Sequence, residues 1–103
     1  MIELGDGFRG EVVFTDHFGN LITNLTREHL CAGPDRDWTI EIDGHTIEGL
    51  VRVYADRSPG TLVGLIGSND RLEVAVVNGN AARFLNASRG IEVRLRRNPE
   101  ITS

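Results

Sequence analysis

Apolar and charged residues alternate over Ile91-Glu-Val-Arg-Leu-Arg96, the period of a strand with one face in a core and the other in water. Trp38-Thr-Ile-Glu-Ile42 repeats the pattern. After Asp43-Gly44, two residues that tolerate positive φ, the chain continues extended from His45 to Val53, and the whole predicts a hairpin. Upstream, Glu11-Val-Val-Phe-Thr15 and Leu21-Ile-Thr-Asn-Leu25 share β-branched and aromatic character on either side of Phe18-Gly19-Asn20, as two strands meeting at a bend. Thr61 to Ile66 reads as a buried strand between turns at Ser58-Pro59-Gly60 and Gly67 to Asp70, and Arg71 to Val77 as the next strand.

Helical character is scarce. Thr26 caps one short turn over Arg27 to Leu30, ended by Gly33-Pro34, and the single convincing helix runs from Asn80 to Leu85, stopping near Asn86. These elements predict a mostly β fold, a small partly open β-barrel of about six strands with one short helix near the C-terminus. Residues 1–8 are expected to be a linker or tail, 9–97 the barrel domain and 98–103 a frayed tail.

Composition narrows the picture. With 103 residues, 40% of them hydrophobic and 25% charged, the chain supports one core and no deep cleft between two domains of one copy. Fifteen acidic and eleven basic residues give a net charge of −4, and the only basic cluster is Arg94, Arg96 and Arg97, which argues against a nucleic-acid partner held through phosphates. All eleven basic residues are arginine, which reads as a genomic bias with most of them solvated. The longest apolar runs, such as Leu62 to Ile66, are strand-sized, and no basic segment leads into an apolar one at the N-terminus, so neither a membrane nor export is expected. The lone Cys31 has no disulfide partner, no Cys/His pair has metal-ligand spacing, and a cytoplasmic location without a metal is the expectation.

Catalytic signals are weak. His17, His29 and His45 are scattered and form no triad with Cys31, and Glu41, Glu48, Glu73 and Glu92 fall at strand positions opposite apolar neighbours, as solvent-facing residues do. Asp16-His-Phe-Gly-Asn-Leu-Ile-Thr-Asn24 differs, because it interrupts a strand with a glycine between an aromatic and an amide. Two interpretations fit it. Asn20 presents the donor and acceptor that pair with an adenine edge while Asp16 holds an ammonium group, or the segment is a bulge with Asn20 capping local backbone. Asn78-Gly-Asn-Ala-Ala82 is similarly double: backbone N–H groups offered to a ligand at a helix start, or helix capping by Asn78 or Asn80. Ser68-Asn69-Asp70 is an ordinary turn, and Tyr54 a core or barrel-mouth aromatic.

In order along the chain, Asp16 to Asn24, Tyr54-Ala-Asp56, Gly67-Ser68 before Leu72-Glu-Val-Ala-Val76, and Asn78 to Ala82 resemble the C-terminal domain of the S-adenosylmethionine (SAM) hydrolase family, also called SAM hydroxide adenosyltransferase, which includes the fluorinases and chlorinases. The resemblance runs from about Gly10 to Arg96. It implies a β-barrel that forms half of a SAM site, completed by an N-terminal α/β domain of the same or another chain in a homotrimer. By matching position, Asp16 would bind the methionine amino group and Ser68 its carboxylate. Phe18 and Tyr54 would wall or stack on the adenosine, and Asn20, with Asn80 and the backbone of Ala81, would read the adenine.

The implied reaction is attack of water on the ribose C5′ carbon of SAM, giving adenosine and L-methionine, with the water-activating groups in the N-terminal domain. No catalytic residue and no cofactor is then expected in this chain, which alone is expected to be inactive. Asn69 stands where fluorinase-like members use an arginine toward the carboxylate, which favours hydrolysis over halide chemistry. His17 is a variant within the first motif and receives no role. The alternatives are a stand-alone barrel for a nucleotide-like ligand or a single nucleic-acid strand, for which an acidic chain with six aromatic residues is poorly suited, and an oligomerisation domain without catalysis.

Overall fold

The strand that organises the fold is β2 (Gly7–Thr15), which is long enough to belong to two pairings at once. In the computed structural model, which describes residues 2–5, 7–30, 38–51, 57–87 and 89–97, its first half, Gly7 to Glu11, runs antiparallel to β8 (Glu92–Arg97). Its second half, Val12 to Thr15, pairs with β3 (Leu21–Thr26), and the register shifts between Val12 and Phe14. The irregularity has identifiable supports. The Asn24 side chain accepts from the Glu11 N–H at 2.9 Å, and Gly10 has no Cβ where that same Asn24 oxygen sits. Within the stretch read as a linker or tail, Ile2–Leu4 form β1 and pair with Gly7 to Arg9.

β8 also pairs with β4 (Trp38–Ile42), and β4 with β5 (His45–Glu48) through the Asp43-Gly44 turn, where both residues have positive φ. On the other side β3 pairs with β7 (Arg71–Val76), and β7 with β6 (Leu62–Ile66). The path is therefore β5-β4-β8-β2-β3-β7-β6. Its ends approach each other, since the Val51 N–H just beyond β5 donates to Gly64 of β6 at 2.9 Å. Gly64 carries no side chain because the Ile40 δ-methyl occupies that space. The result is a nearly closed, barrel-like sheet, as expected, with eight strands among the described residues where about six were predicted.

Alternation places the core. Ile40 and Ile42 of β4, Leu72 and Val74 of β7, and Val93 and Leu95 of β8 are buried inside with Val12, Leu21, Leu25 and Trp38. Fully burying an aliphatic side chain of this size contributes about 1.5–3 kcal/mol, so this interior is the main source of stability. Val63 and Leu65 of β6 with Ala75 and Val77 form a second apolar cluster with Val51 on the opposite face of the same strands. Outside, the Arg9–Glu92 and Arg96–Glu41 pairs at 3.6 and 3.8 Å are substantially exposed and contribute little.

The extended run expected from His45 to Val53 stops at Glu48, because Gly49 turns the chain at φ +75°. Two short helices are present among the described residues. α1 (Arg27–Leu30) is the turn anticipated after Thr26, and α2 (Ala81–Leu85) starts one residue later than predicted because Asn80 is its extended N-cap. Five residues do not sustain a helix alone. α2 is fixed at both ends, by Asn80 Oδ1 accepting from the Arg83 N–H at 2.9 Å and by Asn86 in the left-handed conformation, and it buries Ala81 and Leu85 in the core.

Candidate functional site

The loop between β2 and β3 is built around one carboxylate. Asp16 Oδ1 accepts from the backbone N–H groups of Phe18 and Asn20, each at 2.9 Å, and Oδ2 accepts from the Asn20 side-chain Nδ2 at 3.1 Å. The Asp16 N–H donates to the Asn20 carbonyl and the Gly19 N–H to the Asp16 carbonyl, both at 3.0 Å, so the five residues close on themselves. A short acidic side chain that gathers the N–H groups following it is the usual way such a turn is fixed. Asn20 is thereby buried to 8% exposure, while the Phe18 ring stands 73% exposed.

Gly19 attaches this loop to α2. It lies at φ +83°, its carbonyl accepts from the Ala82 N–H at 2.9 Å, and the Asn80 side chain occupies the space a Cβ would need. The end of the motif serves the sheet. The buried Thr23 hydroxyl donates to the Leu72 carbonyl at 2.8 Å and accepts from the Leu25 N–H at 3.1 Å, where the register of β3 on β7 shifts.

Opposite the loop, the turn from Gly67 to Asp70 and the strand β7 complete an open cleft of about 730 Å³. That volume is in the range of small-molecule sites. Asp16, Phe18, Asn20, Ser68 and Glu73 line it together with the Asn78-Gly79 backbone turn. Glu73 is half-buried, and desolvation first and the negative charge of Asp16 second push its carboxyl above the ordinary glutamate range. The Glu73 carboxyl also lies in the space beside Gly67 that a Cβ there would occupy. Among the described lining residues there is no histidine, cysteine or cationic side chain, and two carboxyls supply the titratable groups. Such a lining suits a ligand with a positive charge and an apolar, hydrogen-bonding body.

Four of the predicted site residues, Asp16, Phe18 and Asn20 from one loop and Ser68 from a turn distant in sequence, thus meet in one cleft. Asn80 adjoins Gly19, with its side-chain oxygen engaged in capping. Ala81 is fully buried, which leaves only its backbone for recognition. Tyr54, Ala55 and Asp56 lie outside the described residues, as does Cys31. The histidines are dispersed: His17 is exposed with its ring edge-on to Phe18, His29 Nδ1 accepts from the Thr26 N–H at 2.9 Å, and His45 lies beside Phe84. Among the described residues no group of three or more His, Cys, Asp or Glu is placed to hold a metal ion.

Glu73 is the residue that sequence reasoning missed. Its position in Leu72-Glu-Val-Ala-Val76 marks it as facing out of the barrel, and it does face out. The outer face of β7 at that point, however, is the floor of the cleft. A period of two separates inside from outside and carries no information about what covers the outside.

Residues 10–94 match the family described as the SAM hydroxide adenosyltransferase C-terminal domain. The (R)-S-adenosyl-L-methionine hydrolase of Thermus thermophilus is 34% identical over 94 residues, which cover 91% of this chain and 34% of that protein. The chain therefore spans about a third of the length of this curated relative. Among solved structures, a conserved hypothetical protein from Thermus thermophilus is similar with a TM-score of 0.72 and 35% identity, over 91% of this chain and 37% of the other. An uncharacterized conserved protein from Thermotoga maritima has a TM-score of 0.75 at 24% identity, over 94% and 39%, and shows the shared fold.

Proposed function

This chain belongs to the SAM hydroxide adenosyltransferase family, as its C-terminal domain, and from that premise we propose that it is the adenosine- and methionine-recognising half of a SAM hydrolase-type enzyme. The observation that carries the reading is the self-closed Asp16–Asn20 loop, which presents a carboxylate, an exposed aromatic ring and a buried amide on one side of a single cleft. Asp16 faces the ammonium group of the methionine portion and the Ser68 hydroxyl its carboxylate. Phe18 covers the adenosine, a contact worth about 1–3 kcal/mol for a stacked base. Asn20, held by its Nδ2 on Asp16, reads the adenine edge together with the backbone around Ala81.

The reaction is a displacement at the ribose C5′ carbon. The water oxygen forms the new C–O bond, the C5′–sulfur bond breaks with its electron pair going to sulfur, and a proton is lost, so that SAM and water become adenosine and L-methionine. SAM is the substrate and no cofactor takes part. This chain's residues bind and orient. The groups that activate water are assigned to an N-terminal α/β domain of the same or another chain, with the site completed between subunits of a homotrimer.

Two carboxyls and no described cation in the cleft disfavour the polyanionic strand required by a nucleic-acid-binding barrel. No helix among the described residues is long and apolar enough to cross a membrane. The test is to incubate the purified 103-residue chain with SAM and assay adenosine, alone and with the α/β domain of a family relative. Formation only in the presence of that domain is expected, and robust turnover by the chain alone overturns the half-site reading.

A further inference from the structure

The Asp16 carboxylate is largely consumed by its own loop. A carboxylate accepts at about four lone-pair positions. Three N–H donors, from the backbone of Phe18 and Asn20 and from the Asn20 side chain, already converge on this one. An ammonium group brings three donors, so Asp16 satisfies about one of them, and a bound amine needs a further acceptor close by. Glu73 lines the same cleft, and among the described residues no hydrogen-bond donor engages its carboxyl. The carboxyl lies against Gly67, in the space a Cβ there would occupy.

We propose that Glu73 is a further specificity-determining residue of this site: its carboxylate accepts from the ammonium group of an amino-acid-bearing nucleoside, beside Asp16, and so distinguishes such a ligand from the bare nucleoside. The proposal rests on the reading that SAM enters this cleft. Burial and the charge of Asp16 disfavour the ionised form of Glu73 in the empty cleft, and a cation placed between the two carboxyls relieves both effects. The residues opposite Glu73 on the flanking strands, Ile22 of β3 and Leu65 of β6, are uncharged. The nearby charges are Asp16 in the loop, Arg71 on the same face of β7 and Asp70 in the turn.

Calorimetric titration of the 103-residue chain with SAM, S-adenosylhomocysteine and adenosine tests this in the wild type, Glu73→Gln and Glu73→Asp. The two amino-acid-bearing ligands should lose about tenfold in affinity in Glu73→Gln, the scale of one charge-assisted hydrogen bond, with partial recovery in Glu73→Asp and no change for adenosine. Equal affinities in wild type and Glu73→Gln, or equal losses for all three ligands, overturn the inference and leave the proposed function standing. Loss confined to SAM also overturns it, because the sulfonium and not the ammonium is then what Glu73 recognises. If the wild type binds none of the three, either alone or with the α/β domain of a family relative present, the proposed function fails and this inference with it.

Discussion

The side chain of Asn80 fills the space that a Cβ on Gly19 would require, so the Asp16–Asn20 loop and the N-cap of α2 are fitted to each other. Gly19 also sits at φ +83° and accepts from the Ala82 N–H. Gly19→Ala therefore meets two penalties, a left-handed backbone for a residue with a Cβ, which costs about 1–2 kcal/mol, and displacement of the Asn80 cap, about 1 kcal/mol more. Urea unfolding should show a loss of about 2–3 kcal/mol by the sum of these terms. The Asn20 and Arg83 amide resonances should move together in the folded variant. Wild-type stability in Gly19→Ala would contradict the fit.

Asp16→Asn keeps one acceptor oxygen for the Phe18 and Asn20 N–H groups but sets an amide NH₂ against the Asn20 Nδ2, two donors face to face. Loss of a charge-assisted contact should weaken SAM binding about tenfold or more. The same change removes the charge that helps to raise Glu73, so the titration midpoint of the Glu73 carboxyl, followed by carbon NMR, should fall toward the ordinary range. An unmoved midpoint would show that the two carboxyls do not sense each other.

Glu73 also carries a pH signature in stability. Its folded pKa is raised, by burial first and Asp16 second, so between the ordinary glutamate value and the raised one the folded chain binds a proton that the unfolded chain has released. This group's contribution to stability accordingly falls as pH rises through that window and is level above it. Glu73→Gln removes the dependence, and the variant should be the more stable one at neutral pH while matching the wild type more closely below the window. A series of urea midpoints across acid and neutral pH reads this directly. A glutamine variant that is less stable throughout would refute the assignment.

Thr23 belongs to the same motif yet serves only the sheet. Thr23→Val leaves the Leu72 carbonyl and the Leu25 N–H buried without their side-chain partner, a loss of about 1–3 kcal/mol. Guanidinium unfolding should show it. The affinity of the folded variant for adenosine should stay that of the wild type, which separates the structural end of the motif from its ligand-facing end.

Much of the fold is legible in the chain itself. The alternation in β8, the Asp43-Gly44 hairpin and the capped helix at Asn80 are local patterns, and local patterns survive folding unchanged. β1 and the end of β5 are less so, since pairing of Ile2–Leu4 depends on a partner strand and the break at Gly49 on a backbone angle. In the site, Asp16, Phe18 and Asn20 were visible because a glycine flanked by polar and aromatic residues breaks a strand. Their convergence with Ser68 is carried by the family resemblance and not by any local pattern, because nothing in the turn from Gly67 to Asp70 marks which loop faces it. The positions of Gly19 and Gly67 are hidden for a simple reason: each glycine lies against a side chain of another element, Asn80 at the start of α2 in one case and Glu73 of β7 in the other.

On the proposed function, the cleft between the Asp16–Asn20 loop and β7 receives SAM. The most direct measurement is a ¹H–¹⁵N NMR titration of the isotope-labelled chain with SAM to millimolar concentration. Saturable shifts concentrated at Phe18, Asn20, Ser68, Glu73 and Ala81, with the Asp43-Gly44 hairpin unmoved, are the predicted result. Shifts that map to the hairpin instead, or an unchanged spectrum at the highest concentration, would contradict it.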